Sequence, residues 1–133
     1  EGARHVLETL TARGLATGIV TSGSRERVER ELALHGLDTH LHQRVYGCEV
    51  KEKKPHPEGL LLCLDRLRMR AEEAVFVGDS PEDIEMARAA GVYSVAVSGG
   101  YPNREALLAS KPDAFTDSIG ALLDVLDGVP LTP

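Results

Sequence analysis

Asp79 and Asp83, spaced four apart in Gly78-Asp79-Ser80-Pro81-Glu82-Asp83, are the residues of this chain best suited to chemistry. They follow the apolar run Ala74-Val75-Phe76-Val77 and precede a helical pattern. An acidic pair at the carboxyl end of a buried strand is how an open α/β sheet holds a divalent cation over bound phosphate. Upstream lie Thr21-Ser22-Gly23, which closes another apolar run, and Lys54 in Lys54-Pro55-His56-Pro57. A hydroxyl beside the unpaired N–H groups of a helix start makes an anion-binding corner. A lysine ammonium can offset phosphate charge and orient a carboxylate nucleophile. Hydroxyl, lysine and acidic pair are three parts of a phosphoryl-transfer site. The fourth, a nucleophilic aspartate near the start, is not in the sequence.

Each part also has a plainer reading. Thr21-Ser22-Gly23-Ser24 is equally a strand-to-helix turn with Ser24 as helix cap. Lys54 belongs to a run with Lys51 and Lys53, and the latter two read as solvated surface charges. Asp83 closes a Ser80-to-Asp83 capping box, so it can brace the loop while Asp79 meets a metal. Gly78, before Asp79, leaves room for a ligand to approach. The histidines His5, His35, His40, His42 and His56 have no metal-ligand spacing, and His56 is the one near Lys54. No Gly-x-Ser-x-Gly elbow occurs.

The elements that must position these residues alternate. Val6, Leu7, Leu10 and Leu15 form a helical stripe closed by Gly14, and Ala16–Val20 reads as a strand. Ser24 opens a helix through Leu34, stopped by Gly36. Arg44–Val50 reads as a second strand, and Pro57 as the first residue of a helix to Leu67, with Leu60, Leu61, Leu64 and Leu67 on one face. Ala74–Val77 is the next strand, followed by a helix from Pro81 to Gly91 and a strand over Tyr93–Val97. The turn Ser98-Gly99-Gly100-Tyr101-Pro102, a short helix from Asn103, a strand at Ala114–Thr116 and a helix over Ser118–Leu126 follow, with Gly128–Pro133 as a loose tail. Such alternation implies an α/β, Rossmann-like three-layer sandwich: a parallel sheet with right-handed crossovers and helices on both faces.

At 133 residues, residues 1–133 suit a single domain. A net charge of −6 and no basic stripe argue against nucleic acid as the main partner. Cys48 and Cys63 lack disulfide or metal spacing and read as buried thiols of a reducing compartment. No apolar run reaches membrane-spanning length, so a cytoplasmic protein with no membrane partner is the expectation. The chain starts at Glu1 inside a helical pattern and reads as part of a longer protein.

With these residues in view, the chain resembles the haloacid dehalogenase superfamily, in its phosphoglycolate-phosphatase-like branch. The resemblance runs from Glu1-Gly2 to about Leu126. Thr21 in Ile19-Val20-Thr21-Ser22 matches the family hydroxyl, Lys54–Pro57 the Lys-Pro-x-Pro motif, and Gly78–Asp83 the Gly-Asp-Ser-x-x-Asp motif. Gly100-Tyr101 is a weaker match. The resemblance implies a magnesium-dependent phosphatase for a small phosphorylated metabolite. Thr21, Ser22 and Lys54 would hold phosphate, Lys54 and Asp79 would serve catalysis, and Asp79 and Asp83 would form the Mg²⁺ site. The family's Asp-x-Asp strand, nucleophile included, and its helical cap have no counterpart here. That strand would belong between Ala16–Val20 and Ala74–Val77, and its absence leaves backbone groups facing a gap, which is costly to bury.

Two other classes compete. A non-catalytic phosphate- or partner-binding module is one, and a dehalogenase or phosphomutase of the same superfamily is the other. Glycine before Asp79 leans toward phosphatase, since mutases tend to carry glutamate there. A receiver-like signalling domain is excluded by order, because its acidic residues precede the hydroxyl and lysine. Substrate and oligomeric state are not legible.

Overall fold

A computed structural model describes residues 2–98 and 104–127. Eleven regular elements alternate among them: α1 (Gly2–Ala12), β1 (Gly18–Val20), α2 (Arg25–Leu34), β2 (Gln43–Val45), α3 (Glu58–Leu67), β3 (Val75–Gly78), α4 (Pro81–Ala90), β4 (Tyr93–Val97), α5 (Arg104–Ala109), β5 (Ala114–Thr116) and α6 (Leu122–Asp127). All strand pairs are parallel, as the alternation requires. They form two sheets, β1–β2 and β3–β4–β5, and among the described residues no ladder joins β1 to β3. The break falls where the family resemblance would place a further strand.

Strand side chains alternate between two helical layers. On one side, Leu60 and Leu64 of α3 meet Met86 and Ala87 of α4, with Val20 of β1 and Phe76 of β3 packed against them. Ile84 and Leu107 extend this layer over Ala96 and Phe115. On the other side, Val6 of α1 and Leu122 of α6 cover Val95 and Val97, with Val75 and Val77 alongside. A smaller cluster, Val28, Leu32 and Tyr46, seats α2 on the end of β2. Thus α3 and α4 span the break that the strands leave open.

Helix ends follow the sequence signals. Ser24 Oγ accepts from Arg27 N–H and Ser80 Oγ from Asp83 N–H. Pro81 stands at the first position of α4, and Gly91 ends it at φ 75°. Several expectations need correction. The strand expected over Arg44–Val50 stops at Val45 and is followed by a 3-10 turn at Gly47–Glu49. Tyr46 N–H donates to the Glu49 carboxylate at 2.9 Å rather than to a strand, which ends the ladder. Pro57 precedes α3 as its cap, and Leu61 is exposed, while Cys63 is buried beside Leu60 and Leu64 as expected. Cys48 is exposed, not buried. The last helix begins as a 3-10 turn at Ile119–Ala121. Gly99–Asn103 and Gly128–Pro133 lie outside the described residues. Among the described residues, no helix is long and apolar enough to cross a membrane.

Candidate active site

Four chain segments come together at the carboxyl ends of β1 and β3. Thr21 and Ser22 follow β1 directly, and the Thr21 hydroxyl accepts from Gly23 N–H at 3.0 Å. That bond sets the turn into α2, and a hydroxyl that accepts one bond still has its own proton to donate. Thr21, Ser22, Lys53, Lys54 and His56 line one small cleft of about 20 Å³, with Gly47 and Met86 among the rest of its wall.

Lys54 reaches across the break. Its Nζ lies 2.8 Å from Asp83 Oδ1, joining the β2–α3 loop to the start of α4. The other oxygen, Oδ2, accepts from Asp79 N–H at 3.1 Å. Both oxygens of a carboxylate only 7% exposed are thereby engaged. This geometry gives Asp83 the bracing role. The capping box is half formed: Ser80 caps Asp83, while the Asp83 carboxylate serves Asp79 instead of Ser80. Gly78 also proves to have another cause. A β-carbon there would lie 2.4 Å from Asp83 Cβ, so its space is filled by Asp83 rather than left for a ligand. Asp79, exposed at the end of β3, is aimed by a backbone bond to this same brace.

The loop carrying the lysines is tied down at several points. Glu58 accepts from Lys51 N–H at 3.2 Å and Glu52 N–H at 2.9 Å. Those backbone bonds, helped by the nearby His56 and Lys51, hold its carboxyl below the usual carboxylate range. His56 Nδ1 accepts from Glu58 N–H at 3.1 Å. Glu49 joins Arg66 at 2.6 Å, and this bond raises the guanidinium above its ordinary value. Lys53, read from sequence as a surface charge, donates to Gly47 O at 3.0 Å and lines the cleft. Gly47 itself must be glycine, since a β-carbon would lie 2.6 Å from Ser22 O. Its position between two loops was the available sequence signal. His42 Nδ1 accepts from Thr17 N–H, and His40 lies 3.7 Å from Glu8, so both serve local structure on the far side of β1.

A larger hollow of about 380 Å³ lies at the opposite end of the three-stranded sheet, lined by Glu72, Arg88, Ser94, Lys111 and Asp113 among others. None of the expected site residues borders it.

This order of motifs on this topology is matched in known proteins. A family model described as haloacid dehalogenase-like hydrolase matches residues 1–97. The chain belongs to that family. A phosphoglycolate phosphatase of Salmonella choleraesuis is 42% identical over 129 residues, covering 95% of this chain and 51% of its own length. A protein of Caldanaerobacter subterraneus, provisionally named a pyrophosphatase, is 43% identical and covers 96% and 58%. A crystal structure from Thermotoga maritima, provisionally called a β-phosphoglucomutase, superposes with a TM-score of 0.89 at 29% identity, covering 96% of this chain and 59% of that one. Family and branch are those the motifs indicated. The chain spans about half the length of the relatives it matches.

Among the described residues, no group of three or more His, Cys, Asp or Glu side chains converges to hold a metal. Mg²⁺ commonly takes one or two carboxylates, retained waters and substrate phosphate oxygens, so the exposed Asp79 suits it as one ligand among several.

Proposed function

We propose that these 133 residues are core machinery of a cytoplasmic magnesium-dependent phosphatase that acts on a small phosphate ester. The observation that carries the reading is the Lys54–Asp83–Asp79 relay, which crosses from the phosphate corner after β1 to the acidic turn after β3. Thr21 and the Ser22 N–H bind phosphoryl oxygens. Lys54 places its ammonium between phosphate and nucleophile, and Asp83 fixes that ammonium while aiming Asp79. Asp79 is the carboxylate that holds Mg²⁺; when bound, the ion offsets charge on the transferring phosphoryl group. Phosphoryl transfer asks mainly for such positioning and electrostatic stabilisation. The nucleophile is an aspartate from a segment outside this chain, attacking phosphorus to give an aspartyl-phosphate that water then hydrolyses.

This chain alone is therefore a poor or inactive phosphatase, because none of Thr21, Lys54 or Asp79 replaces an in-line carboxylate. Loss of a covalent nucleophile typically costs many powers of ten in rate. Hydrolysis of p-nitrophenyl phosphate with Mg²⁺ tests this, comparing the chain with the same chain preceded by its upstream coding sequence. Turnover only in the longer protein is expected. Equal turnover from both would place the nucleophile within these residues and overturn the assignment.

A further inference from the structure

Lys54 has to cross the break between the two sheets to meet Asp83, yet the segment that carries it, residues 50–57, belongs to no regular element. A lysine on a free loop would spread over many backbone and side-chain states, so something must fix this one. Glu58, the first residue of α3, closes the loop from both sides. Its carboxylate accepts from Lys51 N–H through Oε2 at 3.2 Å and from Glu52 N–H through Oε1 at 2.9 Å. Its own N–H donates to His56 Nδ1 at 3.1 Å, and His56 N–H donates back to Lys53 O at 3.0 Å. Lys54 therefore stands between two anchored stretches, and both anchors lead to Glu58. The two backbone bonds also hold the Glu58 carboxyl below the usual carboxylate range, which keeps the brace charged at neutral pH. Glu58 itself is not part of the cleft lining.

We propose that Glu58 is the positioning residue for Lys54: it sets the loop geometry that delivers the ammonium across the break to Asp83. It acts through Lys54 and not on substrate. Its consequence for turnover rests on the phosphatase reading, in which Lys54 serves the transferring phosphoryl group, whereas the delivery of Lys54 to Asp83 does not. Glutamine at position 58 keeps one carbonyl oxygen but sets its amide N–H₂ against the second backbone N–H, donor to donor. One anchor bond is then lost with little change in side-chain size.

A double-variant cycle on Glu58 and Lys54, read by urea unfolding of this chain, tests the delivery. Lys54→Met should lower the unfolding midpoint of the native background, because it strands the buried Asp83 carboxylate. In the Glu58→Gln background the lysine is no longer brought to Asp83, so the same substitution should shift the midpoint by roughly half as much or less. Glu58→Asp, one methylene too short for the loop, gives the same cycle if the glutamine variant does not fold. A full Lys54→Met effect in the Glu58 variant would overturn the proposal. The second assay uses the chain preceded by its upstream coding sequence. There Glu58→Gln should lower kcat for p-nitrophenyl phosphate about tenfold while KM moves little. Unchanged kcat in an active longer protein would overturn the positioning role. An inactive longer protein with the diminished Lys54→Met effect intact would overturn the phosphatase reading and leave the brace standing.

Discussion

The β3–β4–β5 sheet and the β1–β2 sheet carry similar apolar residues but bury them unequally. In the first, β4 has a neighbour on each side and helices on both faces, and Val95 and Ala96 are fully buried. In the second, Gly18 is exposed, and Ile19 and Val20 are only half-buried. β3 shares the condition of β1: it is half-buried along its whole length. A parallel strand reaches full burial only when both its edges and both its faces are covered. β1 and β3, the strands that deliver Thr21 and Asp79, each end a sheet on the side of the break. The candidate site is therefore split between two halves, and at the site they are joined by α3–α4 packing and the Lys54–Asp83 ion pair rather than by a continuous ladder.

If helix packing is the main tie, removing part of it has the largest effect. Leu64→Ala takes a buried residue out of the α3–α4 cluster that also touches both strands flanking the break. It should cost about 3 kcal/mol by urea unfolding, the range of large-to-small core substitutions. Amide exchange should show the loss concentrated in β1 and β2, with β4 and β5 still protected. Uniform loss across both sheets would show that the halves are one cooperative unit and break the comparison.

The ion pair comes next. Lys54→Met leaves the Asp83 carboxylate buried without its cation, which should cost about 2 kcal/mol, reduced from a fully buried pair because Lys54 is 24% exposed. Asp83→Asn should cost less, since the stranded ammonium can turn to water. The double variant should recover part of the loss. Equal costs for the two single variants would mean that the pair contributes little to joining the halves.

The alternation, caps and motif order made most of this fold legible in advance. Ser24, Ser80, Pro81 and Gly91 set helix boundaries through local bonds that depend only on near neighbours. The misread places depend on distant contacts. Tyr46 to Val50 has strand-like alternation, yet the Glu49 carboxylate captures the Tyr46 N–H and Arg66 of α3 fixes that carboxylate. Leu61, expected on the covered face, is exposed because only the packing of α3 on β1 and β2 decides which flank of the helix is covered. At the site, the motifs named residues that the fold brings close together, but not the bonds that link them. That Gly78 makes room for Asp83, and that Lys53 is held by Gly47, follow from loops meeting across many residues.

A smaller effect sharpens the comparison without altering stability. Cys63 lies on the two-stranded side, beside Gly18, and burial pushes its thiol above the ordinary range. Cys48 is exposed. A disulfide reagent at pH 8 should label Cys48 at once and Cys63 only as fast as α3 opens from β1. Leu64→Ala should speed the second phase. Simultaneous labelling of both cysteines would show that α3 does not cover β1.

The central claim is that phosphate binds on one half and the cation on the other, at the carboxyl ends of the strands. Backbone amide resonances of the chain, followed during titration with inorganic phosphate and then Mg²⁺, test it most directly. Phosphate should move the signals of Thr21, Ser22, Gly23 and Lys54, and Mg²⁺ should then move Asp79 and Ser80. Shifts confined to Glu72, Arg88, Ser94 and Lys111, at the opposite end of the three-stranded sheet, would contradict the account.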